Sequence, residues 1–197
     1  MGKRHPVIST VGIDLSYTST GLTVYRNDMK KRNNGISMTT IRTKPKDYTD
    51  DIERKESIVG HIMDTIPENV SMICIEDFYI PRDRMQIGSA IKLIELGTLM
   101  RAAMWNADIP FFVIITQHLK MFGAGSGNAS KEVLMLEVYK RWNLEPKDNN
   151  QADSAVLALL SEAVFMKLKG LSISHYTKKQ QEAVGKVLTL SHSYNVG

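Results

Sequence analysis

The sequence predicts an α/β fold: a mixed five-stranded sheet in which an antiparallel meander of strands 1–3 is followed by parallel strands, with helices on both faces. Two patterns carry this prediction. Near the start, β-branched runs are separated by polar turns, as in hairpin-connected strands. Farther along, continuous apolar runs alternate with segments whose apolar residues recur at helical spacing, as in buried strands covered by helices.

The run VISTVGID, from Val7 to Asp14, reads as a buried strand, and LTVYR, from Leu22 to Arg26, reads as its hairpin partner after the polar turn SYTST. Asp14 therefore lies at the turn end of the hairpin. A basic, Asn-rich turn precedes ISMTTIRT, whose alternation suggests an exposed third strand. Between Asp50 and Ile66, the positions of Ile52, Ile58, Val59, Ile62 and Ile66 predict a helix that Pro67 ends. VSMICIED is a short apolar run that terminates in carboxylates, the pattern of a central strand.

A long helix is predicted from Ile87 to Trp105, with only Lys92, Glu95 and Arg101 charged. A lone surface helix needs a wider polar side, so one face is expected on the sheet and the other on a second subunit. PFFVII, from Pro110 to Ile115, is the next buried strand, followed by the glycine-rich loop FGAGSGNAS. Ser130 is placed to cap a helix running to Arg141, and a last strong helix runs from near Asn150 to Gly170. Residues 1–170 are expected to form the domain. Residues 171–197 read as a partly helical extension, with TKKQQEAVGKVL as its helix, and not as a separate domain.

At 197 residues the chain can bury a sizeable core without crosslinks. The single Cys74 cannot form an internal disulfide and sits in an apolar run, which fits a reducing compartment. No apolar stretch is long enough to span a bilayer, and the opening MGKRHPVIST lacks a hydrophobic segment of signal-peptide type. The expectation is a cytoplasmic protein with no membrane partner. With 25 Lys and Arg against 21 Asp and Glu, a net charge of +4 and a pI near 9.1, the surface leans towards polyanions. None of the five histidines shows metal-ligand spacing.

The chemistry concentrates at three carboxylates. Asp14 ends the first strand, Glu76 ends a central strand, and Asp153 falls in the first turn of the last helix. Hard oxygen ligands converging at a sheet rim are what Mg²⁺ or Mn²⁺ requires. Two such ions about 4 Å apart would activate water and stabilise the leaving oxygen of a phosphodiester displacement. Taken singly, each residue reads first as an ordinary strand-end or helix-capping acid, and the case for chemistry rests on all three in the order of one fold. Asp77, next to Glu76, is expected to point to the opposite side of the strand in a structural role.

Four segments together carry a family resemblance. VGIDLSYTSTG resembles the first strand of the RuvC-type Holliday-junction resolvases, and ICIEDFYI resembles the strand that ends in their catalytic glutamate. TQHLKMFGAGSGNASKE resembles their lysine, glycine-rich loop and second lysine, which would make Lys120 and Lys131 the two basic positions. NNQADSAVLALL resembles their final acidic motif. The four matches fall in family order from about Val7 to Lys169. The resemblance implies a ribonuclease H-like fold and a Mg²⁺- or Mn²⁺-dependent endodeoxyribonuclease that nicks two opposed strands of a four-way DNA junction. Its metal ligands would be Asp14, Glu76, Asp153 and Asn150. The sequence departs from the family at Asn150, where Asp or His is usual. An amide oxygen there can still bind a hard cation, Asp148 can substitute after a small loop shift, or the asparagine marks an inactivating replacement.

The same resemblance implies DNA contacts. Lys120 and Lys131 bracket a loop whose glycines let main-chain N–H groups approach phosphates, against the alternative of ordinary surface lysines. An aromatic after Glu76 would stack on a base, worth about 1–3 kcal/mol. Tyr79 is favoured by the match; Phe78 alternates back towards the sheet face of Glu76 and remains open, with core burial as the competing account. Arg82 and Arg84 widen the basic surface, while Lys30, Lys31 and Arg32 read as a solvated run.

Three other readings stand beside the resolvase: a phosphotransferase of the actin-like fold, a junction-binding protein without useful catalysis, and a related nuclease acting on flaps or other branched DNA. The first needs two related domains and a second phosphate hairpin that this chain lacks. Symmetric cutting of a junction needs two active sites about a two-fold axis, so a homodimer is expected.

Overall fold

The computed structural model describes residues 7–28, 33–78, 83–190 and 193–194. Its elements are β1 (Val7–Asp14), β2 (Ser19–Asp28), β3 (Asn33–Arg42), α1 (Asp51–Thr65), β4 (Met72–Glu76), α2 (Arg84–Asn106), β5 (Phe111–Ile114), α3 (Thr116–Ala124), α4 (Lys131–Trp142), α5 (Asn149–Leu168), α6 (Lys178–Leu190) and β6 (Ser193–Tyr194). A short 3₁₀ turn, Pro45–Asp47, precedes α1.

The strands form one sheet in the order β3-β2-β1-β4-β5-β6. β1, β2 and β3 make the expected antiparallel meander, with Ile13 opposite Leu22 and Gly21 opposite Thr40. β4 joins β1 in parallel, with Ile13 beside Ile75, and β5 joins β4 in parallel. The two-residue β6 adds an antiparallel edge beyond the five expected strands.

Side-chain alternation divides the core. On one face Met72 and Cys74 of β4, Phe112 and Ile114 of β5, and Ile8 of β1 pack with α3, α4, α5 and α6. On the other, Ile73, Ile75, Phe111, Val11 and Ile13 pack with Ile58 and Ile62 of α1 and with Leu96, Met100 and Met104 of α2. Strands covered on both faces cannot alternate polar with apolar residues, which is why β4 is apolar up to its terminal Glu76.

α5 lies unusually close to β1 and β2. A methyl group on Gly12 would stand 2.0 Å from the Ser154 carbonyl oxygen and 2.3 Å from the Ala158 nitrogen, and one on Gly21 would stand 2.0 Å from the Asn150 carbonyl oxygen. Only glycine permits this approach. Polar bonds then seal the contact: the Thr10 hydroxyl donates to the Ala158 carbonyl at 2.8 Å, and the Thr23 and Ser154 hydroxyls meet at 2.8 Å. Farther along, the buried Glu162 carboxylate accepts from Asn27 of β2 and from the Tyr176 hydroxyl.

One local difference from the sequence reading has a physical cause. The helix α3 runs through Phe122, Gly123 and Ala124, which that reading assigns to the glycine-rich loop. Phe122 is buried against the Trp142 and Tyr176 rings, so the segment is held as core; the helix stops one residue later at Gly125, whose φ of 76° lies in the left-handed region. Beyond residue 170, Ile173, Tyr176, Ala183, Val184 and Val187 are buried in the same core as α3 and α5. No helix among the described residues is long and apolar enough to cross a membrane.

Candidate active site

β1 and β4 are neighbouring parallel strands that end at Asp14 and Glu76. Side chains two apart share a face, so Asp14 follows Gly12 and Glu76 follows Cys74 on the α5 side of the sheet. The start of α5 is brought onto that rim by the close approach at Gly12 and Gly21. Asp14, Glu76, Asp153, Asn150, Lys120 and Lys131 consequently line one cleft of about 620 Å³.

The electrostatics record how close these groups are. The Asp14 carboxyl is pushed well above the usual carboxylate range, chiefly by burial and then by repulsion from Asp153 and Glu76. Burial also raises Asp153 to about 6, with Glu76 adding to the shift. Glu76 is raised by burial, against the stabilising pull of the Thr116 hydroxyl bond, Lys131 and Lys120. Neighbouring anions that must be taken out of water together resist ionising until a positive charge joins them. Lys131 and Lys120 supply part of that charge; both oppose the shifts at Glu76 and Asp153.

These groups fit a hard divalent cation by the chemistry of the donor set: three carboxylates in one cleft, each held above its normal pKa. Among the described residues no three Asp, Glu, His or Cys side chains form a ready-made metal cluster. The carboxylates therefore share a cleft rather than a single point.

Asn150 and Asp148 have different surroundings. Asp148 is the N-cap of α5, accepting from the Gln151 N–H at 2.9 Å while pairing with Arg42 at 2.8 Å. Asn150 lines the cleft, and its Nδ2 donates to the carbonyl and hydroxyl oxygens of Ser19, both at 2.8 Å. That anchoring leaves the amide oxygen as its remaining polar atom.

Phe78 is a correction. The strand ends at Glu76, so alternation does not carry Phe78 back to the sheet face of Glu76. Its ring instead packs on α2, where a methyl group on Gly97 would stand 1.7 Å from it, with the Arg101 guanidinium 4.7 Å from the ring centroid. Phe78 still borders the cleft. Asp77 lies 3.9 Å from Arg101 of α2 and also lines the cleft. Tyr79, Arg82 and the Lys30, Lys31, Arg32 run lie outside the described residues, as does the side chain of Arg84, although Arg84 opens α2.

Among the cleft residues to which the sequence assigns no role are Thr116, Tyr17 and Lys92. Thr116 starts α3 and donates to Glu76; its position directly after a buried strand beside β4 was the available signal. Tyr17, in the polar turn after β1, and Lys92, in α2, also border the cleft. Ser130 caps α4 as expected, accepting from the Val133 N–H at 3.3 Å, and so places Lys131 in the first helical turn.

A family model described as crossover junction endodeoxyribonuclease RuvC matches residues 10–161. Among solved structures, that of Thermus thermophilus RuvC is similar with a TM-score of 0.64 and 21% identity, covering 83% of this chain and 97% of that one. The T. thermophilus RuvC complex with Holliday junction substrate matches with a TM-score of 0.64 and 19% identity, covering 83% of this chain and 96% of the other. No curated protein matches. The family match spans most of the chain, including both strands that end in Asp14 and Glu76, the two lysines and the start of α5, and the chain belongs to the RuvC family of crossover junction endodeoxyribonucleases.

Proposed function

We propose that the cleft at the rim of β1 and β4 is the active site of a structure-selective endonuclease that resolves four-way DNA junctions. The observation that carries this is the gathering of Asp14, Glu76 and Asp153 with Lys120 and Lys131 around one cleft in a chain of the RuvC family. The similarity to a RuvC bound to a Holliday junction supports the choice of substrate.

The residues in named roles are as follows. Asp14, Glu76 and Asp153, with the Asn150 amide oxygen, would hold two Mg²⁺ or Mn²⁺ ions. When bound, such ions lower the pKa of the attacking water and neutralise charge on the leaving oxygen. Thr116 holds the Glu76 carboxylate by its hydroxyl bond. Ser19 orients Asn150 by accepting both of its amide bonds. Lys131 and Lys120 place positive charge where the scissile phosphate gathers negative charge. The new P–O bond forms to water as the bond to the sugar oxygen breaks; the water gives up a proton to solvent or to a cleft carboxylate, and the departing sugar oxygen takes one up from solvent.

Two opposed nicks need two such clefts, so the working unit is a homodimer. Apolar side chains exposed along α2 support it: Ile91 and Trp105 are 51% and 54% exposed, and Ile87 and Leu99 are exposed on the same helix. Burying such side chains stabilises association by about 25 cal/mol per Å² of apolar surface. The basic balance of the chain and the absence of a membrane-crossing helix among the described residues fit a nucleic-acid enzyme of the cytoplasm.

The test incubates the purified chain with labelled four-way junction, flap and linear duplex DNA, with and without Mg²⁺ or Mn²⁺, and scores binding and scission. Paired symmetric nicks in the junction that require metal are expected. Tight junction binding with no scission under either metal would replace the enzyme by a binding protein, and cleavage confined to flaps would change the substrate. Sedimentation of the wild type should give a dimer, and Ile91→Glu a monomer.

A further inference from the structure

The two lysines carried by the family pattern lie on the side of the cleft built by α3 and α4. The β1–β2 turn and α2 line another part of it with Tyr17 and Lys92, and with α1 they bring five charged side chains around Tyr17. The Tyr17 hydroxyl donates to the Asp51 carboxylate. Lys55 approaches the same carboxylate at 3.2 Å and Glu95 at 2.5 Å. Lys92 reaches Asp51 at 3.2 Å, with its ammonium 5.6 Å from the Tyr17 ring centroid. The Arg54 guanidinium lies 4.2 Å from that centroid and donates to the carbonyls of Tyr17 at 2.8 Å and Thr43 at 3.1 Å.

The cations of this cluster outnumber its carboxylates, three against two, and they are not equivalent. Arg54 and Lys55 are buried and satisfied: Arg54 by neutral oxygens, Lys55 by both carboxylates. Lys92 is half exposed, borders the cleft, and pairs with a carboxylate that already serves Lys55 and Tyr17. It is the cation of the cluster that can exchange its partner without exposing a buried charge.

A DNA strand carries a charge about every 3.4 Å of helix axis, so a strand crossing the cleft brings phosphates to both of its sides. We propose that Lys92, positioned by Tyr17 and Asp51, is a second phosphate-binding group of the cleft, holding the strand on the α2 side while Lys120 and Lys131 hold it on the other. In the free protein Asp51 occupies the ammonium; on binding, a backbone phosphate takes over that contact. Tyr17 is a positioning residue, since its hydroxyl is engaged by Asp51 and a cation lies against its ring. This inference rests on the nuclease reading above.

The test measures affinity of the full chain for a labelled four-way junction, without divalent metal, across a series of salt concentrations. Lys92→Gln should bind about tenfold more weakly and lower the slope of log K against log salt by about 0.9, the loss of one phosphate contact. Lys92→Arg should restore both. Asp51→Asn, which releases Lys92, should tighten binding, and that gain should vanish in the Lys92→Gln background.

An unchanged salt slope in Lys92→Gln overturns the proposal. So does weaker binding by Asp51→Asn, which would make the ion pair a purely structural tie, and so does a gain from Asp51→Asn that persists without Lys92. Melting temperatures measured in parallel must match wild type for Lys92→Gln, and a lowered value with an unchanged slope counts as structural. Failure of the wild-type chain to bind the junction at all would instead remove the nuclease reading itself.

Discussion

Replacing Gly12 by alanine tests whether the site depends on how closely α5 lies on the sheet. The added methyl would sit 2.0 Å from the Ser154 carbonyl oxygen and 2.3 Å from the Ala158 nitrogen, both backbone atoms of α5 that no rotamer change can move. Ordinary contact begins near 3.4 Å, so the helix must move away by more than about 1 Å. Overpacking of this kind costs about 1–3 kcal/mol. The displacement also breaks the 2.8 Å bond from Thr10 to the Ala158 carbonyl, adding about 1 kcal/mol. Urea unfolding of Gly12→Ala should therefore show a stability loss of roughly 2–4 kcal/mol at an unchanged m-value. Asp153 precedes Ser154 on the same helix and would be carried off the rim with it. A misplacement of about 1 Å is enough to lower turnover by about 100-fold. Metal-dependent junction cleavage should fall by that order under conditions where the variant is still folded. Wild-type stability together with wild-type turnover would refute the argument that this glycine sets the spacing between Asp14 and Asp153.

Asp14→Asn, Glu76→Gln and Asp153→Asn should each abolish cleavage of a labelled junction while leaving gel-shift binding largely intact; nicking at the wild-type rate would remove that residue from the site. For Asp153, burial raises the folded carboxyl from an ordinary 3.8 to about 6, so the folded state holds the proton more tightly than the unfolded chain. Its contribution to stability is present below about 4 and is lost as pH rises through about 6. In metal-free buffer at pH 8, Asp153→Asn should be more stable than wild type by up to about 3 kcal/mol, and the difference should shrink towards pH 4 in urea titrations. Millimolar Mg²⁺ or Mn²⁺ should raise the melting temperature of wild type at pH 8 and leave that of an Asp14→Asn, Asp153→Asn double variant unmoved. Lys120→Ala should weaken junction binding or turnover about tenfold with an unchanged melting temperature, and full retained activity would return it to an ordinary surface lysine.

The elements that run as continuous apolar or helical patterns were legible because burial on both faces demands such runs. VISTVGID, MICIE and FFVI are strands for that reason, and each ends where expected within a residue or two. Asp14 and Glu76 could be placed at the sheet rim from the ends of those runs. Local pattern failed where the determining contact comes from elsewhere in the chain. Gly123 looks like a loop residue, yet the helix passes through it because Phe122 is buried against Trp142 and Tyr176. Phe78 follows strand alternation on paper, but β4 has ended and Gly97 offers the ring a seat on α2.

The strand-forming runs, the order of the motif residues and the resemblance to the RuvC family can all be read along the chain, since they depend on residues near one another in it. Which side chains meet depends on contacts between distant parts of the chain. Asp148 is taken by capping α5 and by Arg42, whereas Asn150 is oriented into the cleft by Ser19 across the contact between α5 and β2. Tyr17 and Lys92 are likewise joined through Asp51 of α1. Spacing along a strand or helix says which face a residue occupies; the distance between faces is set by packing, here by two glycines that let α5 lie directly on β1 and β2.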